Sequence, residues 1–435
     1  MLLQTAVSSV RRGLPRHSWA SSCRIADTVL SGQQQQRFAS EPCTSLGRMF
    51  AGNPELQNVF NQTNQTLGGQ PKKLLKTVAL AAQAAIATGE LPGEAIEGIC
   101  QKHCALHVGP DAFGVVGANI LGTIEDLLTK DQAVLDAWGA LYGDIANVFI
   151  TREAEINKEV AAVPGSWSGR RKFVMAKKEK VSSSVTRFKF EPVDGQPTPD
   201  FEPGKFTTIW VPVEEEGPYG HYSEQPRHYT LAVPRKKEDA NTGMSISVKK
   251  DGLISRILHA AETGTEWELS APHGCFVMSG VEKLWLSSQD APVVFISAGV
   301  GITPVLAMLE NIYVTRPATW LHASQDGAVH PYRERLREIA AVRGGELQRR
   351  VWYSNPLPED GHPGGNETSP HMFNVAKYHY EGRMDLAMSE LEEITHLGNE
   401  EAHYYMCGPE GFMDAQRDTL VKLGVAEDRI HWEGF

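Results

Sequence analysis

The sequence is poor in cysteine, and that scarcity excludes one class of protein. Cys23, Cys43, Cys100, Cys104, Cys275 and Cys407 are the only six in 435 residues. They are too few and too scattered for a disulfide scaffold, so a reducing compartment is expected. No run of about 18 apolar residues occurs, which argues against a transmembrane helix. Positive charge is in deficit: 42 Lys and Arg stand against 53 Asp and Glu, a formal net charge of −11. That balance argues against nucleic acid as a partner. The apolar share of 41% and charged share of 22% are ordinary for a chain that buries sizeable cores. The length suggests two to four domains at roughly 150 residues each.

Acid is missing from the N-terminus. Met1 to Ala26 hold no Asp or Glu, while Arg11, Arg12, Arg16 and Arg24 stand among serines and small residues. The polar, low-complexity stretch SGQQQQRFASEP follows. This is the composition of a mitochondrial transit peptide, and Arg37-Phe38-Ala39-Ser40 resembles a matrix-processing site. Residues 1–44 are therefore expected to be a targeting or disordered segment outside the core fold. A matrix location follows from the first alternative and a cytoplasmic one from the second.

Period-two alternation is missing between Gly47 and Ala162. Leu135, Trp138, Tyr142, Ile145, Phe149 and Ile156 instead recur at helical spacing, one apolar stripe on a long helix. KKLLKTVALAAQAAIATGE, LPGEAIEGICQKHCALHV and AFGVVGANILGTIEDLL read as further helices, separated by Pro54, Gly68-Gly69 and Gly109-Pro110. An all-α domain over 45–161 is expected. Within it Cys100, His103, Cys104 and His107 crowd one helix. Four ligands on one straight helix cannot converge on zinc without a second element, and no later Cys or His pair has the usual spacing. With Ile96, Ile99 and Leu106, His103 is expected to face the domain, Lys102 and Gln101 to point away, and the two cysteines and His107 to lie on the flank. On these residues alone His103 is either a metal-centre ligand or a histidine hydrogen-bonded in a helical core.

After the linker AAVPGSWSG the pattern changes. RKFVMAKKEK, VTRFKFEPV, KFTTIWVPV, RHYTLAVP and MSISVKK are short strands with turns between them, predicting a closed antiparallel barrel over 168–284. The helix DGLISRILHAAETG caps it. From Ala291, PVVFISAGVGITPVLAML reads as buried strand, glycine turn and helix. TWLHAS, RRVWYS and AHYYMCGP then alternate with helical YRERLREIAAV and GFMDAQRDTLVKL. That predicts an α/β doubly wound sheet over 285–435.

Several motifs in this half carry chemistry. Arg227-His228-Tyr229-Thr230 fits the R-x-Y-[ST] pattern of flavin reductase barrels, where arginine pairs with the flavin pyrophosphate, tyrosine lies on the isoalloxazine and threonine bonds the ring. Gly252 and Ser255 open the next helix, whose free N–H groups suit a phosphate. Phe206, after Pro203-Gly204, matches another flavin-contacting position. Gly299-Val300-Gly301-Ile302-Thr303-Pro304, with Cys407-Gly408-Pro409 after a later strand, resembles the nicotinamide-binding pair of the ferredoxin–NADP reductase family. In Glu433-Gly434-Phe435 the glutamate and phenylalanine take that family's terminal acidic and flavin-stacking positions.

RMFAGNPELQNVFNQTNQ, IEGICQKHCALHV and DQAVLDAWGALYGDIANVFITREAEI closely resemble, in order and separation, the globin domain of flavohemoglobins. With the reductase motifs the resemblance spans residues 46–435. It implies a globin domain, an FAD-binding antiparallel barrel and an NAD(P)-binding domain. It implies heme b, FAD and NAD(P)H as cofactors, and a monomer acting on nitric oxide and O2 as a nitric oxide dioxygenase. NAD(P)H would reduce FAD, FAD would reduce heme, and the heme with O2 would turn nitric oxide into nitrate. The alternatives are a heme-free NAD(P)H–FAD diaphorase with a degenerate globin domain, or an oxygen or nitric oxide sensor. On this resemblance His103 is the proximal iron ligand and Glu153 makes it more electron-donating. Lys102 matches the lysine beside the ligand, Phe60 the residue wedged on the porphyrin, and Gln70 and Leu74 the distal pair. Two positions depart from the family. Phe113 replaces a proximal tyrosine, and Leu46 stands where a distal tyrosine is expected, so an atypical or truncated globin start is expected. The LHASQDGAVH region lacks an arginine pair for a 2′-phosphate, which leans toward NADH.

Overall fold

A computed structural model describes residues 45–60, 93–127, 129–217, 220–232, 243–278, 291–312, 314–363 and 377–434. The predicted helix over KKLLKTVALAAQAAIATGE lies outside them. The chain divides into two compact units. One holds Met1–Arg171 with Thr208–His228 and Glu268–His273; the other holds Lys172–Thr207, Tyr229–Trp267 and Gly274–Phe435. Among the described residues no single helix is long and apolar enough to cross a membrane.

The front of the first unit is all helix: α1 Ser45–Gly52, α2 Gly93–Leu106, α3 Asp111–Leu127 and α4 Gln132–Ala162. The 31-residue α4 starts where the Asp131 side chain accepts the Ala133 N–H at 3.0 Å, a polar cap on an otherwise orphan donor. Its inward stripe of Val134, Trp138, Leu141, Ile145, Phe149 and Ile156 packs with Ile96, Cys100 and Cys104 of α2 and Ile120 and Ile124 of α3. Gly117 of α3 lets the helices close in, because a Cβ there would lie 2.4 Å from the Tyr142 ring.

The expected face of α2 needs correction. Cys100 and Ala105 are fully buried on it and Cys104 is 3% exposed, and Gln101 is buried too. His103 sits at the margin of that stripe. The helix is turned by the i, i+4, i+8 run of Ile96, Cys100 and Cys104, where small cysteines fit closest to α4. Gln101 tolerates burial because its amide donates to Glu97 Oε1 at 2.8 Å.

Six strands close an antiparallel barrel in the order β1-β2-β5-β4-β3-β6. They are β1 Arg171–Lys180, β2 Val185–Pro192, β3 Phe206–Gly217, β4 Gly220–Ala232, β5 Met244–Lys249 and β6 Glu266–Leu269, with helix α5 Leu253–Ala260 after β5. Phe173, Phe188, Phe190, Ile209, Leu231 and Ile246 on its strands are fully buried. The strand β6 and the first half of β4 were not expected. EWEL is too short for a periodic signal, and GHYSEQP is polar and contains Pro226.

The rest of the second unit is a six-stranded sheet in the order β10-β9-β8-β7-β11-β12, every pair parallel. Its strands are β7 Val293–Ala298, β8 Ala318–Ser324, β9 Leu347–Tyr353, β10 Tyr380–Glu381, β11 His403–Gly408 and β12 Ile430–Gly434. Helices α6 Ile302–Asn311, α7 Arg333–Arg343 and α8 Glu410–Lys422 run between them. Separate apolar clusters lie around β7, one including Val293 and Phe295, the other Val294 and Ile296. Such two-sided burial is why this strand shows no alternation.

Candidate heme, flavin and nicotinamide sites

His103 projects from α2 toward α4, where its Nδ1–H donates to Glu153 Oε1 at 2.8 Å. Glu153 is 6% exposed, and the His103 side chain is 31% exposed. With Nδ1–H directed to the carboxylate, the neutral tautomer would present Nε2 as a bare lone pair. That is the form in which imidazole binds iron, so these residues fit the proximal side of a heme. Phe113 stands edge-on to the imidazole at 5.8 Å and Phe149 lies tilted at 6.3 Å. Phe113 brings no hydroxyl to the pair, but its carbonyl accepts from Tyr142 Oη at 2.8 Å, which holds α3 to α4 at that point. Burial pushes the Cys100 and Cys104 thiols up to about 12, the Glu153 charge adding to it, so both stay protonated. Lys102 is half-buried. Phe60 packs its edge on Phe50 at 5.3 Å. Gln70 and Leu74 lie outside the described residues, and Leu46 falls in α1.

The pair is braced by residues that spacing did not single out. Arg152, beside Glu153, donates to both oxygens of Glu97 on α2 at 2.7 and 3.1 Å and to Glu155 and Glu159 on its own helix. One bidentate bridge therefore clamps the ligand helix to the helix that carries its partner.

The R-x-Y-[ST] motif lies on β4. Arg227 Nη1 donates to the Pro226 carbonyl at 2.7 Å and to Gln225 Oε1 at 3.3 Å. His228 pairs through Nδ1 with Thr208 Oγ1 at 2.9 Å. Burial lowers its pKa to about 3, with the charges of Lys102, His273 and Arg227 adding to the effect. Tyr229 and Thr230 continue the strand, half-buried. Phe206 opens β3 and is 3% exposed, with Gly274 against its ring. Gly252 caps α5, where Ser255 Oγ donates to the Gly252 carbonyl at 2.9 Å and accepts from Asp251 N at 2.8 Å. That hydroxyl closes the turn ahead of the helix.

At the C-terminal edge of the parallel sheet the two nicotinamide motifs meet. Gly299 takes φ 54°, Val300 and Gly301 complete a 3₁₀ turn, and α6 begins at Ile302. A Cβ on Gly301 would lie 2.3 Å from the Cys407 carbonyl oxygen and 2.8 Å from Gly408 N. Only glycine lets the turn approach the second motif so closely. Thr303 Oγ1 donates to Val300 O at 3.1 Å and Pro304 is buried in the first turn of α6. Pro409 caps α8. Glu433 and Gly434 pair alongside Cys407 and Gly408. Phe435 lies outside the described residues.

Family models match three stretches of the chain: globin over 44–149, an oxidoreductase FAD-binding domain over 172–278, and an oxidoreductase NAD-binding domain over 295–418. The flavohemoprotein of Rhizobium meliloti (strain 1021) is 33% identical over 402 residues, 89% of this chain and 91% of that one. The chain belongs to the flavohemoprotein family. Its fold is similar to that of the flavohemoglobin from Malassezia yamatoensis, crystallised with bound FAD and heme. The two share a TM-score of 0.78 and 24% identity over 97% of this chain and 99% of that one. Globin, FAD-binding and NAD-binding domains make this flavohemoprotein an oxidoreductase that uses heme, FAD and NAD(P)H.

Proposed function

We propose that this flavohemoprotein is a nitric oxide dioxygenase acting, as a monomer, on nitric oxide, O2 and NAD(P)H. Bound heme and FAD supply the redox chemistry, in which nitric oxide, O2 and one electron drawn from NAD(P)H give nitrate. The His103–Glu153 pair carries this reading. A buried carboxylate that takes the Nδ1 proton raises the electron-donating power of Nε2, and donation toward iron favours chemistry on oxygen over its reversible carriage. Gln70, Leu74 and Phe60 would border the heme. Arg227 and the helix start at Gly252 would hold the flavin pyrophosphate, with Phe206, Tyr229 and Thr230 at the ring. Gly299–Pro304 and Cys407–Pro409 would take the nicotinamide nucleotide beside Glu433, Gly434 and Phe435.

The test measures NADH-driven ferricyanide reduction and aerobic nitric oxide consumption on one preparation of the full chain. Both activities are expected. Ferricyanide reduction without nitric oxide consumption would replace the proposal with an NAD(P)H–FAD diaphorase. We also propose a mitochondrial matrix location, supported by the arginine-rich, acid-free start of the chain. A fluorescent protein fused to residues 1–44 that stays in the cytosol would count against it.

A further inference from the structure

The residue that follows α2 joins the ligand helix to barrel strands of the same compact unit. His107 takes φ 58°, a left-handed backbone that non-glycine residues adopt where their surroundings impose it. The helix end imposes it: His107 N–H donates to the Cys104 carbonyl at 3.1 Å and Val108 N–H to the His103 carbonyl at 3.0 Å. The cap so formed lays the His107 ring on Trp210 of β3, the two stacked at 5.1 Å between centroids and 18° between planes. Trp210 is 4% exposed, and the Arg170 guanidinium lies 4.4 Å from its ring centroid. Arg170 is fixed in turn by bonds of 2.8 and 2.6 Å to Glu224 of β4 and of 3.3 Å to Glu268 of β6. The indole thus belongs to a wall tied across three strands. Lost hydration, then the Arg170 charge, lower the His107 pKa, which favours the neutral imidazole in the stack. Two further hydrogen bonds tie β4 to the turn that follows α1: Ser223 N donates to Asn58 Oδ1 at 2.9 Å, and Gln225 Nε2 donates to the Gln57 carbonyl at 3.0 Å. His107 lies one helical turn beyond His103, and β4 carries the R-x-Y-[ST] motif.

We infer that the His107–Trp210 stack is the positioning contact that holds the iron-ligand helix at electron-transfer distance from the flavin strands. Both residues act through α2, not on the reacting atoms. The inference rests on the function proposed above. When bound, FAD would take two electrons with the hydride of NAD(P)H and would hand them on one at a time to ferric heme, its proton going to solvent; His107 and Trp210 would only hold α2 in place for that transfer.

An aromatic stack biases a docked–undocked equilibrium by about two- to tenfold, and the transfer rate follows the docked population. The test uses the full chain with heme and FAD bound, under nitrogen. It is mixed with whichever of NADH or NADPH bleaches the flavin, and the flavin and Soret bands are followed separately. His107→Gly removes the ring and suits the left-handed backbone, so the fold is kept. In this variant flavin bleaching at the wild-type rate and heme reduction slowed by about two- to tenfold are expected, with an unshifted ferric Soret band. Trp210→Leu should behave alike, and Trp210→Phe, which keeps a ring to stack, should restore the rate. Wild-type heme reduction in His107→Gly would overturn the inference, as would equal slowing of the flavin and heme phases. A wild-type chain whose flavin bleaches while its heme stays ferric would refute the proposed function itself, and this role with it.

Discussion

Replacing Glu153 with glutamine would keep the shape of the proximal pair and remove its charge. The carboxylate is 6% exposed and accepts the His103 proton at 2.8 Å, so bulk water cannot substitute for the lost interaction. A charge-assisted hydrogen bond contributes about 1.5–3 kcal/mol, and a neutral one about half as much. The difference, on the order of 1–1.5 kcal/mol, falls mainly on the ferric state, which draws most on donation from the ligand. One such step of about 1.4 kcal/mol is tenfold, or 59 mV for a one-electron couple. The heme midpoint potential of Glu153→Gln should therefore rise by roughly 40–65 mV. Anaerobic spectroelectrochemical titration of the Soret band on the full chain measures it, with heme occupancy determined on the same sample. A midpoint that stays put, or falls, at full occupancy would refute the argument that this carboxylate tunes the iron through His103.

Gly301→Ala would drive a Cβ against the Cys407 and Gly408 backbone, which cannot swing aside as a side chain can. NAD(P)H-driven flavin reduction should fall while dithionite still bleaches the flavin; equal reduction by both would remove the close approach from the nucleotide site. Acid should loosen the second unit. His322 is fully buried between Ser297 and Trp320, and burial lowers its pKa to about 3. Folded His322 stays neutral while the unfolded chain protonates it below about 6.5. Its contribution is thus whole above that pH and is lost progressively as pH falls toward 3, by about 2 kcal/mol at pH 5. His330, stacked on it at 4.6 Å and also shifted down by burial, adds in the same direction. Calorimetry of the full chain from pH 7.5 to 5 should show the loss, and a flat profile in that window would contradict it. Arg227→Ala should weaken FAD retention on dilution by about ten- to a hundredfold if its guanidinium holds the pyrophosphate, whereas undiminished FAD occupancy would assign it a structural role on β4.

What the sequence determined by itself was periodicity and punctuation. The stripe Trp138, Ile145, Phe149 and Ile156 predicts α4 because helical spacing is a property of neighbours along the chain. The same holds for the continuous apolar run of β7 and for the glycines that stop it. Motif spacing likewise placed Gly299–Pro304 and Cys407–Pro409 on turns after strands, and the R-x-Y-[ST] tetrapeptide on a barrel strand. Tertiary structure decided what local spacing does not encode. It turned α2 so that Cys100, Cys104 and Ala105, not His103, pack deepest, because small side chains fit where two helices run closest. It made strands of EWEL and IHWEG, whose neighbours in the sheet supply the ladder that their own sequences do not announce. The His103–Glu153 bond joins residues 50 apart in sequence, and the resemblance named both partners while only the fold supplied the geometry. The Arg152–Glu97 clamp and the His107–Trp210 stack carry no motif. Each depends on the direction in which a side chain leaves a helix or strand once that element is docked, and docking is fixed by packing of the whole core.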